Sequence, residues 1–149
     1  MRTTSDPPKR PSPAREELAP RLRWAITRMA RRLRQEAGVD LGPSQVAALA
    51  TIERQGPLSP SELADLERIK RPTATRILRH LEEAGLVERV KDPEDGRGAI
   101  VSITAAGRAH LKRLRARKTA YLASRLNKLS AEDRRTLEGA AALLEGMLE

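Results

Sequence analysis

SPSELADLERIKRPTATRILRHLEEAGLVERVKDPEDGRGAIVSIT, residues 59–104, is the stretch that decides the fold of this chain. It opens on SPSE, in which Ser59 can cap a helix, Pro60 suits the first helical position and Glu62 completes a capping box. The sequence therefore predicts a short helix that starts here. Its apolar side is expected to consist of Leu63, Leu66 and Ile69.

A second helix is predicted over residues 72–84, and its two faces differ in chemistry. One face has the i, i+3, i+4, i+7 spacing of a buried stripe, formed by Ala74, Ile77, Leu78 and Leu81. Gly85 supplies the left-handed residue that ends the helix. The opposite face and the leading end carry cations and hydroxyls, which can meet phosphates and base edges. These candidate DNA-binding residues are Lys70, Arg71, Pro72, Thr73, Thr75, Arg76 and Arg79.

For an isolated helix, a solvated cationic face would be the preferred interpretation, but two strand-like runs follow. Residues 86–90 and 100–103 both suit half-buried strands, and the Pro, Asp and Gly between them predict a turn. Arg97, near the tip of that turn, could enter a minor groove. The order helix, turn, helix, hairpin is that of a winged helix-turn-helix, a module that reads duplex DNA. The predicted fold class is mainly α with a small β-hairpin wing.

The carboxylates of this turn, Asp92, Glu94 and Asp95, raise the alternative of a metal site. Their spacing fits no EF-hand loop, and no other ligand type accompanies them. His80 and His110 lie on different predicted helices, and neither has a neighbour at metal-ligand spacing. No metal and no cofactor are therefore expected.

At these residues the chain resembles the MarR-type regulators (multiple antibiotic resistance regulators), over residues 15–148 or so. The matching residues are Gln45, Leu49, Gly56-Pro57-Leu58-Ser59, Glu62-Leu63-Ala64, Arg71-Pro72-Thr73-Ala74-Thr75-Arg76, Leu81-Glu82-Glu83-Ala84-Gly85-Leu86-Val87, Asp92-Pro93-Glu94-Asp95-Gly96-Arg97, Ile103-Thr104 and Gly107. The chain departs from the pattern at Lys70, where relatives often carry a small capping residue, and at Gly96, where a larger and often basic residue is common. The resemblance implies a homodimer with interlocked N- and C-terminal helices, and a repressor more often than an activator.

The helices predicted around the module fit such a dimer. A helix over residues 14–37, closed by Gly38, carries the apolar stripe Leu18, Leu22, Ala25, Ile26, Met29 and Leu33. A supporting helix over 41–55 has the expected core residues Val46, Leu49, Ala50 and Ile52. Thr104 and Ser130 can cap two more helices, whose apolar positions a monomer would leave exposed to water.

The predicted organisation has four parts. They are a disordered basic tail (1–13), with a DNA-contacting arm as the alternative, an N-terminal dimerisation helix (14–40), a winged helix-turn-helix DNA-binding domain (41–103) and C-terminal dimerisation helices (104–149).

Composition narrows the function further. The net charge of +9 indicates a polyanionic partner. The absence of Cys excludes disulfides and the thiol-based peroxide sensing of some MarR-like proteins. Trp24 and Tyr121 are the only aromatic residues, which favours duplex DNA over stacking on unpaired bases. No membrane-length apolar run and no signal peptide are found, so a cytoplasmic, nucleoid-associated protein is expected.

Trp24 falls opposite the apolar stripe of the first helix, beside Arg28 and Arg31. A second packing surface there, against a dimer partner or a ligand, would relieve the exposure of the indole. A Trp lying flat over arginine stems is the alternative. The MarR resemblance implies anionic aromatic effectors bound between the dimer lobe and the DNA lobe, so these three residues are the candidate sites for an anionic or phenolic effector.

The leading hypothesis is a homodimeric, sequence-specific regulator of transcription that binds an inverted-repeat operator in duplex DNA, as a repressor that a small ligand relieves. The alternative is an architectural protein that coats or bends DNA with little base preference, a reading that the net charge of +9 and the basic tail support. An enzyme is not expected, because no nucleophile elbow and no phosphate-binding glycine loop are present.

Overall fold

A computed structural model describes residues 13–38, 40–91, 94 and 98–149, with the side chains of the first helix described from Glu17 onward. Within these residues the chain forms six helices and one two-stranded antiparallel sheet. The elements in order are α1 (Pro13–Ala37), α2 (Pro43–Gln55), α3 (Pro60–Glu67), α4 (Arg71–Glu83), β1 (Val87–Lys91), β2 (Ala99–Ile103), α5 (Ala105–Leu126) and α6 (Ala131–Gly146). The described helices include none that is long and apolar enough to cross a membrane.

The start of α3 confirms the predicted capping box. The Glu62 amide donates to Ser59 Oγ at 3.1 Å, and the Ser59 amide donates to the Glu62 carboxylate at 2.8 Å. The end of α3 was not predicted: Arg68 adopts the left-handed conformation at φ 53°, which turns the chain toward α4. The prediction for Leu66 was wrong, because its side chain is half exposed and Ala64 is buried beside Leu63 instead. In a helix of two turns, a small residue at the contact lets α3 lie close to its neighbours.

α4 is the helix predicted as the second of the pair, and all four residues of its apolar stripe are buried. It ends with the two hydrogen bonds of a Schellman motif, from Leu86 N to Leu81 O and from Gly85 N to Glu82 O, each 2.9 Å. Gly85 lies at φ 74°, a conformation that costs a residue with a Cβ about 1 kcal/mol or more. The predicted role of Gly85 is therefore confirmed.

The wing pairs Val87 with Ile103 at its base and Lys91 with Ala99 at its outer end. β2 buries Val101 and Ile103, as expected for a half-buried strand, whereas β1 buries only Val87. A feature that was not predicted is the bridge from Leu58, whose amide and carbonyl both bond to Val101, at 3.0 and 2.7 Å. The remaining turn residues, Asp92, Pro93, Asp95, Gly96 and Arg97, lie outside the described residues, as does the tail at 1–12.

One hydrophobic core unites α2, α3, α4, the wing and the start of α5. Its fully buried large side chains are Leu49, Ile52, Leu63, Leu78, Leu81, Val101 and Leu111. Of the predicted α2 core residues, Leu49 and Ile52 are buried, and Val46 and Ala50 are partly buried against the cluster. The core thus fixes the orientation of α4, whose other face remains at the surface.

α5 begins against the C-terminal end of α4. The Thr104 hydroxyl accepts from the Gly107 amide at 3.1 Å, as predicted for a cap, and donates to the Gly85 carbonyl at 2.7 Å. A Cβ on Gly107 would lie 2.2 Å from the Leu86 carbonyl oxygen and 2.7 Å from Ile103 Cγ1, so only glycine fits at this crossing. This contact joins α5 rigidly to the winged unit.

The outer helices leave much apolar surface exposed in the single chain. Ser130 caps α6 through the Asp133 amide at 3.1 Å, as predicted, yet α6 buries no residue. The α1 stripe is open to solvent as well, with exposed fractions from 39% to 51% at Leu18, Leu22, Ile26 and Met29. The N-terminal half of α1 and all of α6 therefore lack a hydrophobic partner within one chain.

Candidate nucleic-acid interface

The leading end of α4 is open and carries two cations. Lys70 occupies the N-cap with an extended backbone, and its side chain makes no capping hydrogen bond. Arg71 and Pro72 follow as the first two helical residues. Because the first amide groups of a helix have no partner within it, this end attracts anions, and the two cations add to that attraction.

The outward face of α4 presents Arg76 and Arg79, one turn apart and both exposed. Within the described part of the chain, neither guanidinium makes a hydrogen bond or an ion pair. Both therefore keep all their donors available for a bidentate contact with a base edge or a phosphate.

Thr73 and Thr75 are half-buried beside these arginines, and Pro72 is exposed. The Thr75 hydroxyl donates to the Arg71 carbonyl at 3.0 Å. Since its single proton is used in this bond, Thr75 can only accept a hydrogen bond from a ligand, for instance from an exocyclic base amine. Seven of the eight predicted DNA-binding residues thus lie together at one end and face of α4, and Arg97 lies outside the described residues.

Two polar contacts that sequence reasoning missed hold this surface in place. Arg89 Nε on β1 donates to a Glu82 carboxylate oxygen on α4 at 2.8 Å, which ties the wing to the recognition helix. The buried Thr51 hydroxyl on α2 donates to the Glu67 carboxylate at the end of α3, and Arg54 donates to Thr51 at 3.3 Å. Opposite charge could have suggested Arg89 and Glu82 as partners, but no spacing rule relates Thr51 to Glu67.

A cavity of about 830 Å³ lies where α1, α2 and α5 meet. Its apolar lining includes Leu33, Val46 and Leu114, and its cations are Arg31, Arg34 and Lys118. Of the predicted ligand-binding residues, only Arg31 lines it. Trp24 is 61% exposed farther along α1, and the Arg28 guanidinium lies over its ring at 5.1 Å from the centroid. The three residues therefore do not surround one cavity, and within the chain Trp24 lies against an arginine, as in the alternative interpretation.

α1 is joined to α5 by a cluster around Tyr121. Arg32 and Arg125 both donate to its hydroxyl, at 3.3 Å each, and both guanidinium groups lie 5.6 Å from the ring centroid. The hydrogen bond from Arg32, followed by that from Arg125, lowers the pKa of Tyr121, because both favour the phenolate. Beside it, Arg117 donates to the Ala37 carbonyl at 2.9 Å and so satisfies the C-terminal end of α1.

Together, a buried two-helix scaffold, an exposed cationic helix and an attached hairpin define a winged helix-turn-helix DNA-binding protein. The MarR family model matches residues 41–98. An HTH-type transcriptional regulator of Mycobacterium tuberculosis is 34% identical over 133 residues, which is 89% of this chain and 93% of that protein. The multiple antibiotic resistance protein MarR of Salmonella typhimurium is 32% identical over 101 residues, covering 67% of this chain and 70% of that one.

The fold comparison agrees along the whole chain. The crystal structure of a Pseudomonas aeruginosa protein superposes with a TM-score of 0.82 at 34% identity, over 93% of this chain and 99% of that one. The chain belongs to the MarR family of HTH-type transcriptional regulators, and its relatives are regulators rather than enzymes. Among the described residues, no group of three or more His, Asp or Glu side chains could hold a metal ion.

Proposed function

We propose that this chain is a homodimeric repressor that recognises an inverted-repeat operator in duplex DNA. The observation that carries the proposal is the outward face of α4, where Arg76 and Arg79 are exposed and have no partner within the described part of the chain. In this proposal Arg76 and the threonines contact base edges, Lys70 and Arg71 contact phosphates, and Arg97 enters a minor groove beside the half-site.

The homodimer is proposed from the apolar surface that one chain leaves exposed. The faces of α1 and α6 together present Leu18, Leu22, Ile26, Met29, Leu137, Leu143, Met147 and Leu148 to solvent. A contiguous surface of this kind is expected to be covered. We therefore keep the division into an N-terminal dimerisation helix (14–40), a winged helix-turn-helix domain (41–103) and C-terminal dimerisation helices (104–149), and place the protein in the cytoplasm with the nucleoid.

Selection of bound sequences from random duplex tests this function. Two recognition helices related by a twofold axis should select half-sites about one helical turn apart, on the order of 10 bp centre to centre, in inverted orientation. Competition with excess random duplex at physiological salt separates the regulator from a DNA-coating protein, the alternative that the charge of +9 supports. A regulator keeps its selected site under competition, whereas a coating protein is stripped from it.

We further propose that a small organic anion binds in the cavity between α1, α2 and α5 and relieves repression. The support is its combination of apolar lining with Arg31, Arg34 and Lys118. Trp24 and Arg28 lie on the same helix, so the single Trp of the chain can report binding through its emission. A screen of phenolic and aliphatic carboxylates should change both the emission and the DNA affinity, and Arg31→Gln should abolish the response. A flat response across the screen would argue against an effector in this cavity.

A further inference from the structure

The positive charge of this chain is distributed unevenly. The winged unit, residues 41–104, carries nine Lys and Arg against ten Asp and Glu, although it contains the DNA-reading helix. α5 (Ala105–Leu126) carries seven Lys and Arg and no acidic residue at all. The net charge of +9 therefore does not arise in the winged unit, and α5 contributes most of it.

Most of the α5 cations have a local explanation. Arg115 donates to the Glu53 carboxylate at 2.9 Å, Arg117 to the Ala37 carbonyl at 2.9 Å and Arg125 to the Tyr121 hydroxyl. Lys118 lines the cavity described above. The three that remain are Arg108, Lys112 and Arg113, which are exposed and have no side-chain partner in the described part of the chain. We call these three residues the α5 cationic strip.

The α5 cationic strip is unfavourable for the isolated helix. Arg108 lies at the N-terminal end of α5, where the helix dipole repels a cation, and the first turn contains no acidic residue. Arg108 and Lys112 are also like charges four residues apart, a spacing that destabilises a helix. An ordinary solvated helix face mixes both signs, as α6 does with two cations and four acids. A bound polyanion would remove both penalties.

The shape of the strip indicates a backbone rather than a small anion. Lys112 and Arg113 flank Ala109 and Ala116, which are exposed and small, so this side of α5 is a low ridge between two rows of cations. An extended, regularly charged surface can approach such a ridge closely, whereas a small anion would need a concave site. The strip also starts at the far end of α4, because Thr104 and Gly107 contact Gly85 and Leu86, roughly 18 Å along a helix from Lys70.

We infer that the α5 cationic strip is a second, sequence-independent site for the phosphate backbone of duplex DNA, distinct from the α4 surface. It goes beyond the proposed operator reading, and the two can fail separately. The phosphates come either from a more distant part of the operator duplex or from a second duplex held by the same protein. In both cases the strip adds affinity and salt dependence without base preference.

The test compares two double variants of the full chain that remove the same charge. Lys112→Gln with Arg113→Gln removes the strip, and Lys128→Gln with Arg135→Gln is the control, since both control residues are exposed and have no side-chain partner among the described residues. Binding of a long random duplex is titrated at several salt concentrations. The strip variant should lower the slope of log affinity against log salt by about 2, one unit per lost phosphate contact, and the control should leave it unchanged.

A second arm identifies the duplex. An operator duplex fixed on beads is mixed with protein and a labelled duplex of random sequence. Retention of the label by wild type and the control, but not by the strip variant, identifies a second duplex. A lower salt slope without retention identifies the same duplex.

Equal slopes for the two double variants would overturn the inference. So would loss of the dimer by the strip variant in light scattering, because the strip would then face the acidic α6 of a second copy. If wild type binds no duplex at all, the proposed function fails first. If wild type selects its operator while both doubles keep equal slopes, only the strip fails.

Discussion

Gly107→Ala tests how the winged unit is attached to the long helix. The added Cβ would lie 2.2 Å from the Leu86 carbonyl oxygen and 2.7 Å from Ile103 Cγ1. The first of these atoms is backbone at the end of α4, and the second belongs to a buried strand residue, so neither can move without shifting the core. Overpacking of this kind costs about 1–3 kcal/mol and sometimes more. We expect a loss of at least about 3 kcal/mol, because the contact is with backbone.

Gly139→Ala is the matched control. It lies inside α6, and a Cβ there would meet nothing within 4 Å. Helix geometry also places Gly139 on the side of α6 opposite Leu137 and Leu144, away from the apolar face. The same substitution should therefore stabilise this helix by up to about 1 kcal/mol, because alanine has the higher helix propensity.

The measurement is thermal or urea denaturation of both variants and wild type at one protomer concentration, since dimerisation makes stability depend on concentration. A loss of about 3 kcal/mol would lower the melting temperature by roughly 6–12 °C in a chain of this size. Gly107→Ala that melts within a degree or two of wild type would refute the close crossing of α5 over the end of α4.

Two further predictions concern polar contacts between helices. Thr51→Val keeps the shape of a buried side chain but removes its hydrogen bond to Glu67, so it should cost about 1–2 kcal/mol in denaturation; an unchanged stability would mean that this bond contributes nothing. Tyr121 is the only Tyr, so its phenolate absorbance reports one group, and its midpoint should lie below about 10 and rise in Arg32→Gln. Because the folded-state pKa is lowered, the unfolded chain binds more protons just below pH 10, so stability relative to Tyr121→Phe should rise with pH there and the gain should vanish as pH falls through the folded-state pKa; a midpoint at or above the ordinary value would contradict the arginine contacts.

The elements that sequence predicted best are those fixed by local rules. The capping box at Ser59, the caps at Thr104 and Ser130, the stripe of α4 and the left-handed Gly85 were all predicted from short-range patterns, and the structure confirms them. Each depends on residues within one or two turns, where backbone geometry and hydrogen bonding dictate residue type.

What sequence could not predict depends on residues far apart in the chain. The bridge from Leu58 to Val101 and the hydrogen bond from Thr51 to Glu67 require knowledge of which elements pack together. Leu66 was assigned to the apolar side of α3 by periodicity alone, but a helix of eight residues has too few contacts for its whole stripe to be buried. The cavity combines α1, α2 and α5, so its cations Arg34 and Lys118 could not be grouped with Arg31 from sequence.

The central claim is that α4 reads bases while its N-terminal end holds phosphates. It is tested most directly by titrating Arg76→Ala and Lys70→Ala on the selected operator and on random duplex, at several salt concentrations. Arg76→Ala should lose about 1–3 kcal/mol on the operator and relax preference at one base position. Lys70→Ala should weaken both duplexes alike and lower the salt slope by roughly 1. If both variants lose the same factor on both duplexes, α4 is a purely electrostatic surface and the claim is contradicted.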